Sequence, residues 1–174
     1  MKLAAQGWKL LATVALALAG CTTGAPADRL PGSAFDTACP VSLPNVTKSP
    51  DEHFVPSGLA FQNADGTIFT TPWPNGEVVF EPGGPGTINP DGSMSMKWPW
   101  YRTVPGEVEI GGRRLDGSAP PMPAEILRGP EDGYGETGFH PSILTFPTEG
   151  CWEVTARAGE ATLTFITRVV LRTD

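Results

Sequence analysis

Beyond residue 38 the chain cannot run far without a turn. The pairs Asp65-Gly66, Asn75-Gly76, Asp91-Gly92, Pro105-Gly106, Asp116-Gly117, Gly129-Pro130 and Ala158-Gly159 cut it into short pieces, as does the run Pro82-Gly83-Gly84-Pro85-Gly86. Gly reaches positive φ without strain and Pro removes a backbone donor, so each of these is a natural turn. The pieces between them are apolar or alternating: 58–62, 67–70, 77–81, 93–98, 107–110, 124–127, 142–146, 151–157 and 161–172. Short strands at this spacing predict an all-β, antiparallel sandwich or barrel of about 7–9 strands. No segment after the N-terminal leader keeps a 3.6-residue period for more than about ten residues, which argues against a helical fold. Gly (21) and Pro (19) are abundant, but they punctuate apolar runs rather than forming a tract, and 40% apolar residues allow a core.

The last two pieces are the clearest. Trp152, Val154 and Ala156 share one face of the first, opposite Cys151, Glu153, Thr155 and Arg157. Leu163, Phe165, Thr167, Val169 and Leu171 share one face of the second. Joined by Ala158-Gly159-Glu160, they predict a hairpin with a single core face. This ending resembles the last hairpin of immunoglobulin-like sandwiches.

The N-terminus has the layout of an export signal. Lys2 and Lys9 form a basic start, Leu10 to Ala19 an apolar stretch too short to span a bilayer, and Ala19 and Gly20 are small. Leu18-Ala19-Gly20-Cys21 resembles the lipobox of bacterial lipoproteins, which implies cleavage before Cys21 and lipid on its thiol and new amine. Two or three acyl chains anchor stably where one does not. The alternative is a soluble secreted protein with a chance cysteine at its cleavage site. Thr22, rather than Asp, follows the cysteine, and in a host with two membranes this resembles the pattern sent to the outer one. Residues 21–38 are small, polar and broken by Pro26 and Pro31, a flexible tether reaching roughly 20–25 Å. The expected organisation is a signal peptide at 1–20, a tether at 21–38 and a β-sandwich domain at 39–174.

Removing the leader, with two lysines and no acid, leaves the rest two units more negative than the whole chain's formal charge of -7. Such a surface repels nucleic-acid phosphates and anionic head groups, so no nucleic-acid partner is expected. Cys39 and Cys151 remain once Cys21 is lipidated. An even count in an exported domain predicts a disulfide, with Cys39 at the start of the domain and Cys151 on the less apolar face of its strand.

Chemistry is harder to find. His53 in Asp51-Glu52-His53 has no second cluster at ligand spacing, so it reads as a solvated loop and no metal or cofactor is expected. His140 lies close to Ser142, but the chain has no Gly-x-Ser-x-Gly elbow, and such proximity alone does not make a dyad. The Gly83–Gly86 run lacks the Lys-Ser/Thr of a phosphate loop. The loop from Glu131 to Phe139 mixes acids, Gly, Tyr and Phe without calcium-loop spacing and reads as surface.

One segment stands apart: Met94-Ser95-Met96-Lys97-Trp98-Pro99-Trp100-Tyr101-Arg102. Aromatics alternate with cations around a proline, a composition suited to stacking on sugar rings or anchoring an interface. Pro99 is expected to hold the segment on an edge or in a loop. The competing reading puts the tryptophans in the core. The strings SMKWPWYR, GRRLDGSAP, GYGETGF and FPTEGCWEVTARAGEATLTF resemble a group of exported bacterial proteins of unknown function, which implies one domain bridged between Cys39 and Cys151 and no particular activity. The expected function is non-catalytic: a lipid-anchored, extracytoplasmic binding or structural module of the cell envelope. Its contact would be Trp98, Trp100, Tyr101 and Arg102, on an envelope protein or cell-wall glycan. The alternative class is a small envelope hydrolase with loop-borne residues and His53 or His140 as base.

Overall fold

The computed structural model describes residues 39–46, 59–71, 73–127 and 134–173. The expected signal peptide, Cys21, the tether and His53 lie outside the described residues. Ten strands follow one another: β1 (Phe61–Gln62), β2 (Ile68–Thr70), β3 (Glu77–Phe80), β4 (Thr87–Ile88), β5 (Met94–Arg102), β6 (Val108–Arg114), β7 (Ala124–Ile126), β8 (Gly138–Phe146), β9 (Gly150–Ala158) and β10 (Ala161–Leu171). A 3-10 turn, Pro74–Gly76, precedes β3. The strands form two sheets. The first runs β1-β2-β5-β8-β7, with β4 also paired to β5, and the second runs β3-β10-β9-β6.

The expected hairpin is there, paired from Ala161↔Ala158 to Val169↔Gly150. Its turn places Gly159 at a φ of 55°, a conformation that glycine adopts without cost. The expectation of a wholly antiparallel sandwich needs one correction. β3 runs parallel to β10, with Val78 opposite Val169 and Phe80 opposite Leu171. The chain from β2 crosses to the other sheet before β3, so β3 meets the last strand from the same direction rather than through a hairpin.

The inner faces meet in one core. Phe165 of β10 lies at its centre, with Phe61, Trp98 and Trp100 at ring-centroid distances of 4.7, 5.7 and 6.1 Å. Val78, Phe80, Leu144, Phe146, Trp152 and Val154 are fully buried around them. Each core indole N–H is paired, as burial requires. Trp98 Nε1 donates to Thr70 Oγ1, Trp100 Nε1 to Ser142 Oγ, and Trp152 Nε1 to the Thr148 carbonyl.

Cys39 and Cys151 form a disulfide, with Cα atoms 5.4 Å apart across a separation of 112 residues. Cys151 is buried on the outer side of β9, where the incoming chain covers it. From Cys39 the chain bonds to β10, Ser42 N–H donating to the Ile166 carbonyl and Ile166 N–H to Ser42 Oγ. It then bridges Val46 to Ala60 ahead of β1. The N-terminal stretch thus ties both sheets before the first strand begins. In chain-entropy terms a loop of this size contributes about 4–5 kcal/mol.

Candidate functional site

The expected contact segment is one strand, β5, and a central one. It pairs with β8 along its whole length and with β2 and β4 on its other side. The expectation that Pro99 would confine it to an edge or loop is therefore corrected, and the register explains how. Pro99 lies opposite Pro141. The Pro99 carbonyl accepts from Thr70 Oγ1 and the Pro141 carbonyl from the Leu127 N–H, so the two carbonyls point away from each other. In an antiparallel strand a residue's N–H and C=O point to the same side. The missing N–H groups therefore also point outward, where β2 has ended at Thr70 and β7 at Ile126. Neither proline removes a bond that the β5–β8 ladder needs.

Strand alternation then divides the segment. Met94, Met96, Trp98, Trp100 and Arg102 point inward, with Trp98 1%, Trp100 2% and Arg102 5% exposed. The placement of Trp98, Trp100 and Arg102 corrects the expectation that they form a contact, because none offers an open face to a ligand. Ser95, Lys97, Pro99 and Tyr101 point to the outer face of the first sheet.

That outer face is arranged in rows. Phe69, Tyr101 and Phe139 lie side by side across β2, β5 and β8. Tyr101 stacks on Phe69 at 4.6 Å, and Tyr134 tilts against Phe139 at 5.9 Å. Phe139 ends the row at 37% exposed. Next comes the Pro99–Pro141 pair, and then Lys97, Ile143 and Glu125 in register. The far row is polar: Ser95 and Thr145 share a hydroxyl hydrogen bond of 2.9 Å, and Asn89 Nδ2 donates to Ser95 Oγ. Planar rings thus lie at one end of the face and hydroxyl and amide groups at the other.

Behind the aromatic row is a buried polar pair. Arg102 Nη1 donates to the carbonyls of Val104 and Gly106 at 3.1 and 2.7 Å. Gly106 has a φ of 128°, and a Cβ there would come within 2.8 Å of the Gly159 nitrogen, so glycine is required to bring that carbonyl to the arginine. Arg102 Nη2 lies 2.8 Å from His140 Nε2. Burial disfavours the guanidinium charge while Glu136 favours it. Burial also pushes the His140 pKa below the usual imidazole range, and the neighbouring guanidinium pushes it further.

These positions bear on the hydrolase alternative. His140 is 4% exposed, its Nε2 faces a cation that can only donate, and that cation weakens it as a base. Ser142 is fully buried, accepts from Trp100 and donates to the Trp98 carbonyl. No group of three or more His, Cys, Asp or Glu side chains among the described residues could hold a metal ion. The sequence singled out β5 and read Glu131 to Phe139 as a surface loop, but did not place Phe139 on β8 opposite Tyr101 or Tyr134 against it.

The chain matches no family model, no curated protein and no solved structure.

Proposed function

We propose that the chain is an exported lipoprotein. Lipid on Cys21 anchors it to a bacterial membrane, the outer one in a host that has two. Beyond a flexible tether it carries an immunoglobulin-like domain that binds cell-wall glycan and performs no catalysis. Strand order supports the immunoglobulin-like reading. Lettered A to G in sequence, β2, β5, β8 and β7 lie in the order A-B-E-D, and β6, β9 and β10 in the order C-F-G, the two sheets of that fold. The disulfide departs from the usual inter-sheet bridge between B and F, because it ties strand F to the chain ahead of the sandwich. A disulfide of this kind suits an oxidising compartment, and the lipobox-like Leu18-Ala19-Gly20-Cys21 supports the tether.

The single observation that carries the binding reading is the outer face of β5 and β8. Tyr101, Phe139 and Tyr134 form a platform of planar rings, and Ser95, Thr145 and Asn89 follow it with hydrogen-bonding groups. Sugar rings stack on such platforms and bond through their hydroxyls, whereas the acidic chain as a whole disfavours anionic polymers. The test is co-sedimentation of the full-length protein with purified peptidoglycan. Wild type is expected to sediment, and Phe139→Ala is expected to lose most of that binding while keeping its thermal midpoint. Binding that survives unchanged in the variant would remove this face. Its absence in wild type, with crosslinking to an envelope protein instead, would replace the ligand class.

A further inference from the structure

Arg102 and His140 hold a contradiction that a proton can resolve. Arg102 Nη2 is a donor only, so at 2.8 Å it requires His140 Nε2 to accept. The Gly135 carbonyl lies 3.2 Å from the same Nε2 and requires it to donate. A neutral imidazole cannot do both. With Nε2 accepting, the ring proton sits on Nδ1, which is buried without a partner, as is Arg102 Nε. Two buried polar atoms without partners are a costly arrangement that the rest of the fold must hold in place.

We propose that this pair is a proton-operated latch that keeps the Tyr134–Phe139 end of the outer face in its binding shape at neutral pH and releases it in mild acid. When His140 binds a proton, Nε2 gains a hydrogen and can donate to the Gly135 carbonyl, but it can no longer accept from Arg102. Two cations then face each other across the broken bond. Among the described residues, few groups offset them. Glu136, next to Gly135, is the acid acting on Arg102. From the second sheet, Arg157 lines one small void with Arg102 and Trp100, alongside apolar Val108, Ala156 and Ala158, and so adds a further cation. The turn after β5 contributes only the Val104 and Gly106 carbonyls to the guanidinium. Tyr134 packs on both His140 and Phe139, at 6.4 and 5.9 Å, so movement of the imidazole reaches the exposed end of the aromatic row.

The sign follows from burial. The folded state favours the neutral imidazole, so the latch contributes fully above the ordinary imidazole pKa of about 6.5 and is lost as pH falls below it. The latch itself stands on the Arg102–His140 geometry, while its effect on ligand rests on the glycan-binding reading above.

The test is hydrogen exchange in the full-length protein at about pH 7.5 and about pH 5, expressed as protection relative to intrinsic rates. Protection across residues 134–141 is expected to fall measurably in acid, while β9 and β10 keep theirs. His140→Gln, which can accept from Arg102 at either pH, is expected to stay protected at both. Equal protection of wild type at the two pH values, or an equal fall in His140→Gln, overturns the latch. Should that variant fail to fold, the His140 imidazole in wild type decides by its NMR titration. A midpoint below about 6.5 supports the latch and one at or above it overturns the latch. Peptidoglycan sedimentation at the same two pH values separates the readings. Binding lost in acid by wild type alone supports both. Intact acid-sensitive protection with no binding at either pH keeps the latch and removes the glycan. Equal binding at both pH values overturns the regulation.

Discussion

The β9–β10 hairpin and the β5–β8 pair are both long antiparallel ladders, each nine registered residues in extent. The first is uninterrupted in sequence: it contains no proline, and buried and outward positions alternate from Trp152 to Leu171 around one glycine turn. The second contains two prolines and is just as continuous in space. The difference lies in what surrounds each strand. β9 has a partner on both sides, β10 and β6, so nearly every N–H along it is needed. Pro99 and Pro141 occupy the positions of β5 and β8 where the outward neighbour has just ended. A proline thus breaks a strand only where a hydrogen bond was owed at that position.

The comparison can be broken at its strongest point first. Cys151→Ser removes the link that closes the N-terminal stretch onto β9, and chemical denaturation is expected to show a loss of about 4–5 kcal/mol, matched by wild type under reductant. Next, a proline placed on the continuous side is expected to be severe. Thr155→Pro in β9 faces Gly111 on one side and Thr164 on the other, and is expected to cost about 3 kcal/mol or more or to prevent folding. Trp98→Phe keeps an aromatic ring against Phe165 but removes the indole donor to Thr70, and chemical denaturation is expected to show a loss of about 1–3 kcal/mol. Pro99→Ala is the smallest change. It is expected to cost less than about 1 kcal/mol, mainly through greater freedom of the unfolded chain, and to leave the β5–β8 ladder intact by hydrogen exchange. A large loss at Pro99 together with a mild one at Thr155 would reverse the account of both strands.

The same contrast explains what the residues allowed a reader to anticipate. Strand positions follow from alternation between turn pairs, and every anticipated piece became a strand. The errors lie at Gly and Pro. β6 continues through Gly111-Gly112, β8 begins before His140-Pro141, and β5 runs through Pro99, because each residue occupies a position where its missing side chain or donor does no harm. The two-residue β4 had no apolar run to announce it. The parallel partner of β10 was hidden because crossing between sheets depends on loop path and not on local pattern. For the site, composition pointed to the right strand but not to which half of it faces out. That choice depends on which residue opposes Phe165, a contact nearly seventy positions away. The Arg102–His140 pair was not foreseeable, since its significance lies in two unpaired nitrogens seen only once the sheets are packed.

The division of β5 into a buried half and an outward half is the claim on which the rest stands. Oxidative footprinting of the full-length protein tests it directly, by comparing Trp98, Trp100 and Trp152 with Tyr134 and Phe139. Trp98 and Trp100 are expected to react as slowly as Trp152, which is fully buried, while Phe139 reacts many times faster. Rapid oxidation of Trp98 and Trp100 alongside a protected Trp152 would contradict it, and would return the tryptophans to the surface as the contact.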